Sequence, residues 1–194
     1  MSTASVTSRP GAVLADLLPA SRARDIALVV GGAALTGIAA QISVPVPGSP
    51  VPVSGQTFAA LLVGTALGAR RGFLSLALYA VVGMAGMPWF AEGASGYAMP
   101  SFGYILGMLL AATVVGGLAR RGADRSVLRT AGTMAVGSVI IYAVGVPYLA
   151  LATGMSLSQA VAAGLTPFLI GDALKAALAM GALPTAWKLL GRRG

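Results

Sequence analysis

Long apolar segments, separated by short polar or proline-rich connections, make up most of the sequence. Four of them, residues 26–42, 101–119, 130–151 and 166–190, contain scattered Gly and Ala but few charges. Each is close to the roughly 20 residues that an α-helix needs to cross the hydrocarbon of a bilayer. The pattern predicts four membrane-spanning helices.

Two further apolar segments, residues 56–69 and 72–87, are shorter and meet at Arg70-Arg71. They are predicted to be short or tilted spans, or one of them re-entrant. The predicted fold class is therefore all-α, a polytopic membrane protein built as a bundle of six transmembrane helices.

The connections between the spans differ in character. Residues 43–55 carry four prolines, which exclude a helix or a central strand, so an extended apolar loop is expected. Residues 88–97 form a Gly-rich aromatic loop, and residues 153–165 are expected to lie along the membrane interface with some helical character. The first two loops either cap a cavity or are plain connectors.

Composition supports the membrane assignment. Hydrophobic residues make up 57% and charged residues 9%, with a mean hydropathy of +0.86, whereas a soluble domain carries about 25% charged residues. The 194 residues fit one transmembrane domain, residues 26–190, with cytoplasmic tails at residues 1–25 and 191–194.

The positive charges predict the topology. All 13 Lys and Arg except Lys175 lie in the N-terminal tail, at Arg70-Arg71, in the loop after residue 119 or near the C-terminus; residues 43–55, 88–100 and 152–165 hold none. By the positive-inside rule, both termini are cytoplasmic, in a multi-pass protein of the cytoplasmic membrane. The same clusters argue that the net charge of +8 serves topology and not nucleic-acid binding.

The first helix carries small residues at helical spacing. Gly31, Ala33 and Gly37 allow another helix to approach closely, either a partner's or one within the protein. Asp25 is the expected cap of this helix, after a loosely ordered tail. Cleavage as a signal peptide is an alternative, but the polar segment before the helix is unusually long for it.

Asp172 and Lys175 are the exception to the charge pattern, because both lie within an apolar span. A charge near the middle of a bilayer costs about 2.5–3.5 kcal/mol even on the lenient insertion scale. Three residues apart, the two side chains share one face of a helix. They predict either a polar ligand site that opens outward, since this helix enters from outside near Pro167, or a structural ion pair without a ligand.

Several kinds of chemistry are missing from the sequence. Without Cys or His there is no thiolate, no imidazole base and no basis for most transition-metal sites. No nucleophile–base arrangement and no phosphate-binding loop is present. The protein is therefore predicted not to be an enzyme and to hold no metal or cofactor, and any ATPase that drives it must be another chain.

The sequence resembles one known family. The runs VPVPGSPVPVSGQTF (residues 44–58), PSFGYILGMLLA (100–111) and GDALK (171–175) are similar to the BioY family, the biotin-binding S components of energy-coupling-factor (ECF) transporters. The resemblance covers residues 26–190. It implies biotin as substrate, membrane lipid as surroundings, and a transmembrane coupling protein and two ATPase subunits as partners.

The resemblance and the residues together give the candidate sites. The resemblance implies that Asp172 and Lys175 contact biotin, and we expect Asp172 to accept from its ureido N–H groups and Lys175 to donate to its carbonyl; Glu92 stands where relatives carry an amide that contacts the ligand. The remaining ligand-binding candidates are Gly55, Gln56 and Thr57 at the carboxylate tail, and Trp89, Phe90, Tyr104 and Tyr142 as apolar walls. Gly31, Ala33 and Gly37 are the candidates for docking the coupling protein.

Two other functions remain open at this stage. One is an S component for a different vitamin, which shares the architecture without the same combination of Gly55-Gln56-Thr57 and Asp-x-x-Lys. The other is a membrane scaffold or channel that transports no vitamin and in which Asp172 and Lys175 are structural.

Overall fold

The computed structural model describes residues 11–191, which form seven α-helices and one short hairpin. The helices are α1 (Arg22–Gln41), α2 (Gln56–Leu67), α3 (Ala69–Met84), α4 (Phe102–Arg120), α5 (Val127–Thr153), α6 (Leu157–Gly164) and α7 (Leu169–Gly191). The hairpin lies in the proline-rich loop and pairs β1 (Ser43–Val44) with β2 (Val53–Ser54) in antiparallel fashion.

Four helical stretches of the described chain are long and apolar enough to cross a membrane: α1, α4, α5 and the stretch from α6 through α7. The helices α2 and α3 are shorter, with 12 and 16 residues. With α1–α5 and α7 packed together, the prediction of a six-helix membrane bundle is confirmed. The short helix α6 accounts for the helical character expected in residues 153–165.

Glycines bring α2, α3 and α4 to backbone distance. A Cβ on Gly64 of α2 would lie 2.4 Å from the carbonyl oxygen of Ala112 on α4 and 2.6 Å from its Cα. A Cβ on Gly72 of α3 would lie 2.8 Å from the Cα of Gly64. Small residues at helix crossings are the usual packing device in membrane bundles. These contacts fix α2, whose first residues belong to the candidate site.

The chain before α1 is folded against the bundle, where the sequence suggested a loose tail. Val13 is fully buried, and Leu14–Leu17 form a 3-10 turn. The side chain of Ser21 accepts a hydrogen bond from the backbone N–H of Arg24, so Ser21 is the cap of α1 and the expected cap Asp25 lies in the first turn. Residues 1–10 and 192–194, which belong to the predicted tails, lie outside the described residues.

Charged side chains gather at one end of the bundle. Arg71 lies 2.9 Å from the carboxylate of Asp16 and 3.1 Å from that of Asp25. Burial acts to raise the pKa of Asp16, but its hydrogen bonds and the charge of Arg71 outweigh this and lower the pKa. Asp124 is fully buried at the same end, where Trp187 donates to it at 2.7 Å and burial raises the pKa of its carboxyl. The charged residues that cluster between the apolar segments of the sequence thus also lie together at one end of the folded bundle.

Candidate functional site

Asp172 and Lys175 meet in the first turns of α7, at the end of the bundle away from the arginines. Lys175 Nζ lies 3.2 Å from Asp172 Oδ1 and donates a 2.8 Å hydrogen bond to Oγ1 of Thr57 on α2. The hydroxyl of Tyr142 on α5 donates to the other carboxylate oxygen of Asp172. The side chains of Lys175 and Asp172 are 18% and 17% exposed. The pair therefore connects α2, α5 and α7.

These side chains line a small cavity. Its walls come from the proline-rich loop, the start of α2, the 3-10 turn before α7 and the facing sides of α4, α5 and α7: Val51, Pro52, Ser54, Gln56, Thr57, Tyr104, Ser138, Ile141, Tyr142, Phe168, Asp172 and Lys175. The cavity measures about 30 Å³, which is room for about one or two water molecules. Small-molecule sites generally measure about 300–1,000 Å³. A vitamin-sized ligand therefore requires the walls to move.

A larger groove lies beside the cavity, on the surface between α5, α6 and α7. It measures about 670 Å³ and shares Ser138, Tyr142 and Asp172 with the cavity. The stretch that contains α7 has the smallest buried share of the four long helical stretches, 11%. The Tyr142–Asp172 hydrogen bond therefore forms part of the wall between the cavity and the groove. One side of this wall belongs to α7, a helix with little of its surface buried.

The motif Gly55-Gln56-Thr57 starts α2 and places two side chains at the cavity. A Cβ on Gly55 would lie 2.6 Å from the carbonyl oxygen of Ala39 on α1, so only glycine permits this approach. Gln56 is buried, and its Oε1 accepts a 2.8 Å hydrogen bond from Tyr79 on α3. Thr57 carries the hydroxyl that contacts the ammonium group. The motif is therefore anchored on both sides, by α1 and α3.

Tyr104 and Tyr142, two of the predicted wall residues, both line the cavity. Their rings are nearly perpendicular, with centroids 6.3 Å apart. Tyr104 donates a 2.7 Å hydrogen bond to the carbonyl of Gly164, and a Cβ on Gly145 would lie 2.5 Å from its ring. The absence of side chains at these two glycines makes room for the Tyr104 ring.

Trp89, Phe90 and Glu92 do not line the cavity. The indole of Trp89 donates to the carbonyl of Tyr79 at 3.0 Å, and Phe90 is 1% exposed with its ring 5.1 Å from that of Tyr79. Glu92 is exposed and has a positive φ of 60°. Trp89 and Phe90 thus reach the site only through Tyr79 and Gln56, while Glu92 faces solvent in the loop.

The predicted docking residues on α1 divide into two groups. Gly31 is exposed, with nothing within 4 Å of the position of a Cβ. Ala33 is 1% exposed, and a Cβ on Gly37 would lie 2.8 Å from the ring of Trp89. Ala33 and Gly37 therefore pack inside the protein, which is the alternative that the sequence left open, and Gly31 remains available to a partner.

The sequence did not point to several residues of the cavity and its support. Ser138 lies one helical turn before Tyr142, and this spacing places both on one face of α5. Ser54 directly precedes Gly55-Gln56-Thr57, so proximity to the motif could have revealed it. Tyr79 gives no signal, because an isolated tyrosine in an apolar segment is typical of a packed core.

A family model described as "BioY family" matches residues 9–192. The chain belongs to the BioY family. It is 37% identical to the "Probable biotin transporter BioY" of Pyrococcus horikoshii, over 82% of this chain and 93% of that one. It is 34% identical to the "Biotin transporter BioY" of Thermotoga maritima, over 75% and 85%, and 31% identical to that of Rhizobium etli, over 67% and 74%. These relatives are named as transporters, which confirms that this chain is not an enzyme.

A solved structure has the same fold. It is the crystal structure of an "S-component for biotin from an ECF-type ABC transporter", with a TM-score of 0.76, 21% identity and coverage of 88% of this chain and 95% of that one. At this identity the likeness supports the fold alone. Sequence and fold comparisons together place the chain among multi-pass membrane transporters of the BioY family.

Proposed function

We propose that this protein binds biotin and delivers it across the cytoplasmic membrane as the S component of an ECF-type transporter. The observation that carries the proposal is the Asp172–Lys175 pair, which lies in an apolar span and borders a cavity beside the first residues of α2. Family membership supplies the substrate class, because relatives at 31–37% identity are named biotin transporters.

The chemistry of biotin matches the polar groups of the cavity. Its ureido ring offers two N–H donors and one carbonyl, which suit the carboxylate of Asp172 and the ammonium of Lys175 as charge-assisted partners. Lys175 has three N–H groups, and within residues 11–191 two of them have partners, on Thr57 and Asp172. The third is available for a ligand carbonyl.

Thr57 lies beside Lys175. The sequence predicted instead that Thr57 contacts the carboxylate tail, at the other end of the ligand. A 2.8 Å hydrogen bond joins the two side chains. We infer that Gln56 and Thr57 face the ureido end, and that the tail extends toward the proline-rich loop. Because the cavity is too small as it stands, binding requires that α7 or this loop move outward and that Tyr142 release Asp172.

The proposal includes partners on other chains and an orientation. A transmembrane coupling protein and ATPase subunits would drive transport, since the chain has no phosphate-binding loop. The arginine-rich end of the bundle would face the cytoplasm and the cavity would face outward. Residues 1–25 and 191–194 would then be cytoplasmic, and residues 26–190 would form the substrate-binding domain in the membrane.

The deciding experiment is equilibrium binding of labelled biotin to the protein purified in detergent. Biotin should bind in a saturable way and be displaced by unlabelled biotin but not by riboflavin or thiamine. Saturable binding of another labelled vitamin, with no binding of biotin, would favour an S component of different specificity. Failure of every vitamin to bind would favour a structural role for the ion pair.

Single-cysteine labelling tests the orientation, and it is clean because the chain has no native Cys. Ser95→Cys lies in the loop after α3, and Ser126→Cys lies in the loop before α5; both positions are exposed. In intact cells, an impermeant maleimide should label the first and not the second. Labelling of Ser126→Cys with none at Ser95→Cys would show that the protein has the opposite orientation in the membrane.

Two glycines on α1 give a matched test of partner docking. Gly31→Leu places a side chain in open space on the surface, so it should leave the thermal midpoint and biotin affinity unchanged while impairing assembly with the coupling protein. Gly37→Leu collides with the ring of Trp89 and should lower the thermal midpoint. Co-purification with the coupling protein is the readout, and full assembly of Gly31→Leu would argue against docking at this face.

A further inference from the structure

A groove between α1 and α3 combines a basic rim with an apolar floor. It measures about 900 Å³ and lies at the arginine-rich end of the bundle, distant from the cavity at Asp172. Arg22, Arg70 and Arg120 are exposed at its rim. The groove takes no part in the proposed binding of biotin, and the inference drawn from it does not depend on that proposal.

The arginines at the rim are only partly neutralised by the protein. Arg71 is held by Asp16 and Asp25, at 2.9 and 3.1 Å. Within residues 11–191, by contrast, no carboxylate oxygen lies within 4.0 Å of the side chain of Arg22 or Arg70. Two exposed guanidinium groups beside an apolar groove therefore offer donors that suit an anion, and arginine binds phosphate in bidentate geometry.

Below the rim, the groove is apolar along the length of one membrane leaflet. Ile26 and Val30 on α1 are 66% and 52% exposed, and Leu74 and Val81 on α3 are 42% and 56% exposed. From Arg70 to Val81 the helix α3 rises about 16 Å at 1.5 Å per residue. Half of a hydrocarbon core of about 30 Å is about 15 Å. The apolar floor thus has the depth of the acyl chains of a single lipid layer.

We propose that this groove binds an anionic phospholipid, with the phosphate on Arg22 and Arg70 and an acyl chain between α1 and α3. The charge at the rim selects an anionic headgroup, because basic pockets between membrane helices attract such lipids. The apolar floor selects a lipid over a free phosphate ion. One molecule with both parts accounts for the basic rim and the apolar floor, and Asp25, which also lines the groove, is paired with Arg24 and Arg71.

The test is a titration of the full-length protein, purified and delipidated in detergent, followed by native mass spectrometry. The probes are dioleoyl phosphatidylglycerol and dioleoyl phosphatidylcholine, which have the same acyl chains but an anionic and a zwitterionic headgroup, respectively. The wild-type protein should retain one phosphatidylglycerol with at least about tenfold preference over phosphatidylcholine. Excess inorganic phosphate should not displace it; displacement would indicate a simple phosphate site and overturn the proposal.

Charge variants locate the headgroup. Arg22→Gln combined with Arg70→Gln should weaken phosphatidylglycerol binding by about tenfold or more, because each arginine near the headgroup contributes to attraction. The control is Arg121→Gln combined with Arg129→Gln, which removes two exposed arginines of the α4–α5 connection that do not line the groove. Equal loss in both double variants would show non-specific attraction to a basic surface and would contradict the proposal.

A filling variant locates the acyl chain. Val81→Trp should block the floor of the groove and weaken phosphatidylglycerol binding, whereas Val114→Trp, at an exposed position of α4 outside the groove, should not. Unchanged thermal midpoints of the delipidated variants would show that the fold is intact. If the groove variants keep full lipid binding but lose co-purification with a partner protein, the groove is a protein interface and the lipid proposal is wrong.

Discussion

Replacing Asp172 by Asn is expected to weaken biotin binding ten- to a hundredfold while the protein stays folded. In the proposed site the carboxylate is the charged acceptor for the ureido N–H groups, and loss of one hydrogen bond to a charged group costs about 1.5–3 kcal/mol. Lys175→Met should have an effect of the same order, because it removes the charged donor. Biotin affinity of the purified variants is the measurement.

The double variant Asp172→Asn, Lys175→Met separates a ligand site from a structural pair. In the structure, both oxygens of Asp172 are already bonded, by Lys175 and Tyr142, which is compatible with a purely structural role. For a structural pair, each single variant leaves a buried partner unpaired and lowers the thermal midpoint, and the double variant recovers it. For a ligand site, the double variant binds biotin worst of all. A double variant that regains both stability and near-native affinity would disprove the ligand assignment.

Asp16→Asn is the matched control for these variants. It removes a carboxylate from another ion pair, 2.9 Å from Arg71, at the opposite end of α2 from Thr57. It should leave biotin affinity unchanged. Because the folded-state pKa of Asp16 is lowered, its stabilising contribution is present above the ordinary pKa of an aspartate and is lost as the pH falls through the lowered value. A comparable loss of affinity in this control would mean that charge removal acts indirectly.

The sequence predicted the polar centre of the site because a charge in an apolar span is conspicuous. Asp172 and Lys175 stand out because charges within a membrane span are energetically costly, and their spacing of three residues allows them to meet or to share a ligand. The start of α2 also stood out, since four prolines precede Gly55-Gln56-Thr57. What the sequence did not reveal is that Thr57 contacts Lys175, because this depends on how α2 and α7 pack and not on spacing within either helix.

The aromatic residues show a second limit of the sequence. Trp89 and Phe90 have the composition of a ligand wall, yet their rings pack on Tyr79 and against Gly37 and Gly83. Glycines that admit a large ring are visible only when two helices are placed together. The same reason explains why the sequence predicts docking for both Gly31 and Gly37: the four-residue spacings from Ala27 to Gly31 and from Ala33 to Gly37 identify stripes of small residues on a helix, but not what each stripe faces.

Gly64→Ala is expected to produce a large loss of stability for a single added methyl group. The new Cβ would lie 2.4 Å from the carbonyl oxygen of Ala112 and 2.6 Å from its Cα, and backbone atoms cannot rotate away. Overpacking typically costs about 1–3 kcal/mol, and a clash with backbone lies at the upper end or beyond. Separation of α2 from α4 would also displace Thr57, so biotin affinity should fall together with the thermal midpoint.

Gly117→Ala supplies the control, with an effect of opposite sign. It lies on α4 with nothing within 4 Å of the position of a Cβ, in ordinary helical conformation. Alanine in place of glycine within a helix is favourable by about 0.5–1 kcal/mol, so this variant should match or exceed the wild-type thermal midpoint and keep its biotin affinity. Thermal unfolding in detergent and biotin binding are measured side by side for both variants. Equal midpoints for Gly64→Ala and Gly117→Ala would mean that α2 and α4 do not meet at backbone distance, and that α2 is not held where it presents Thr57 to Lys175.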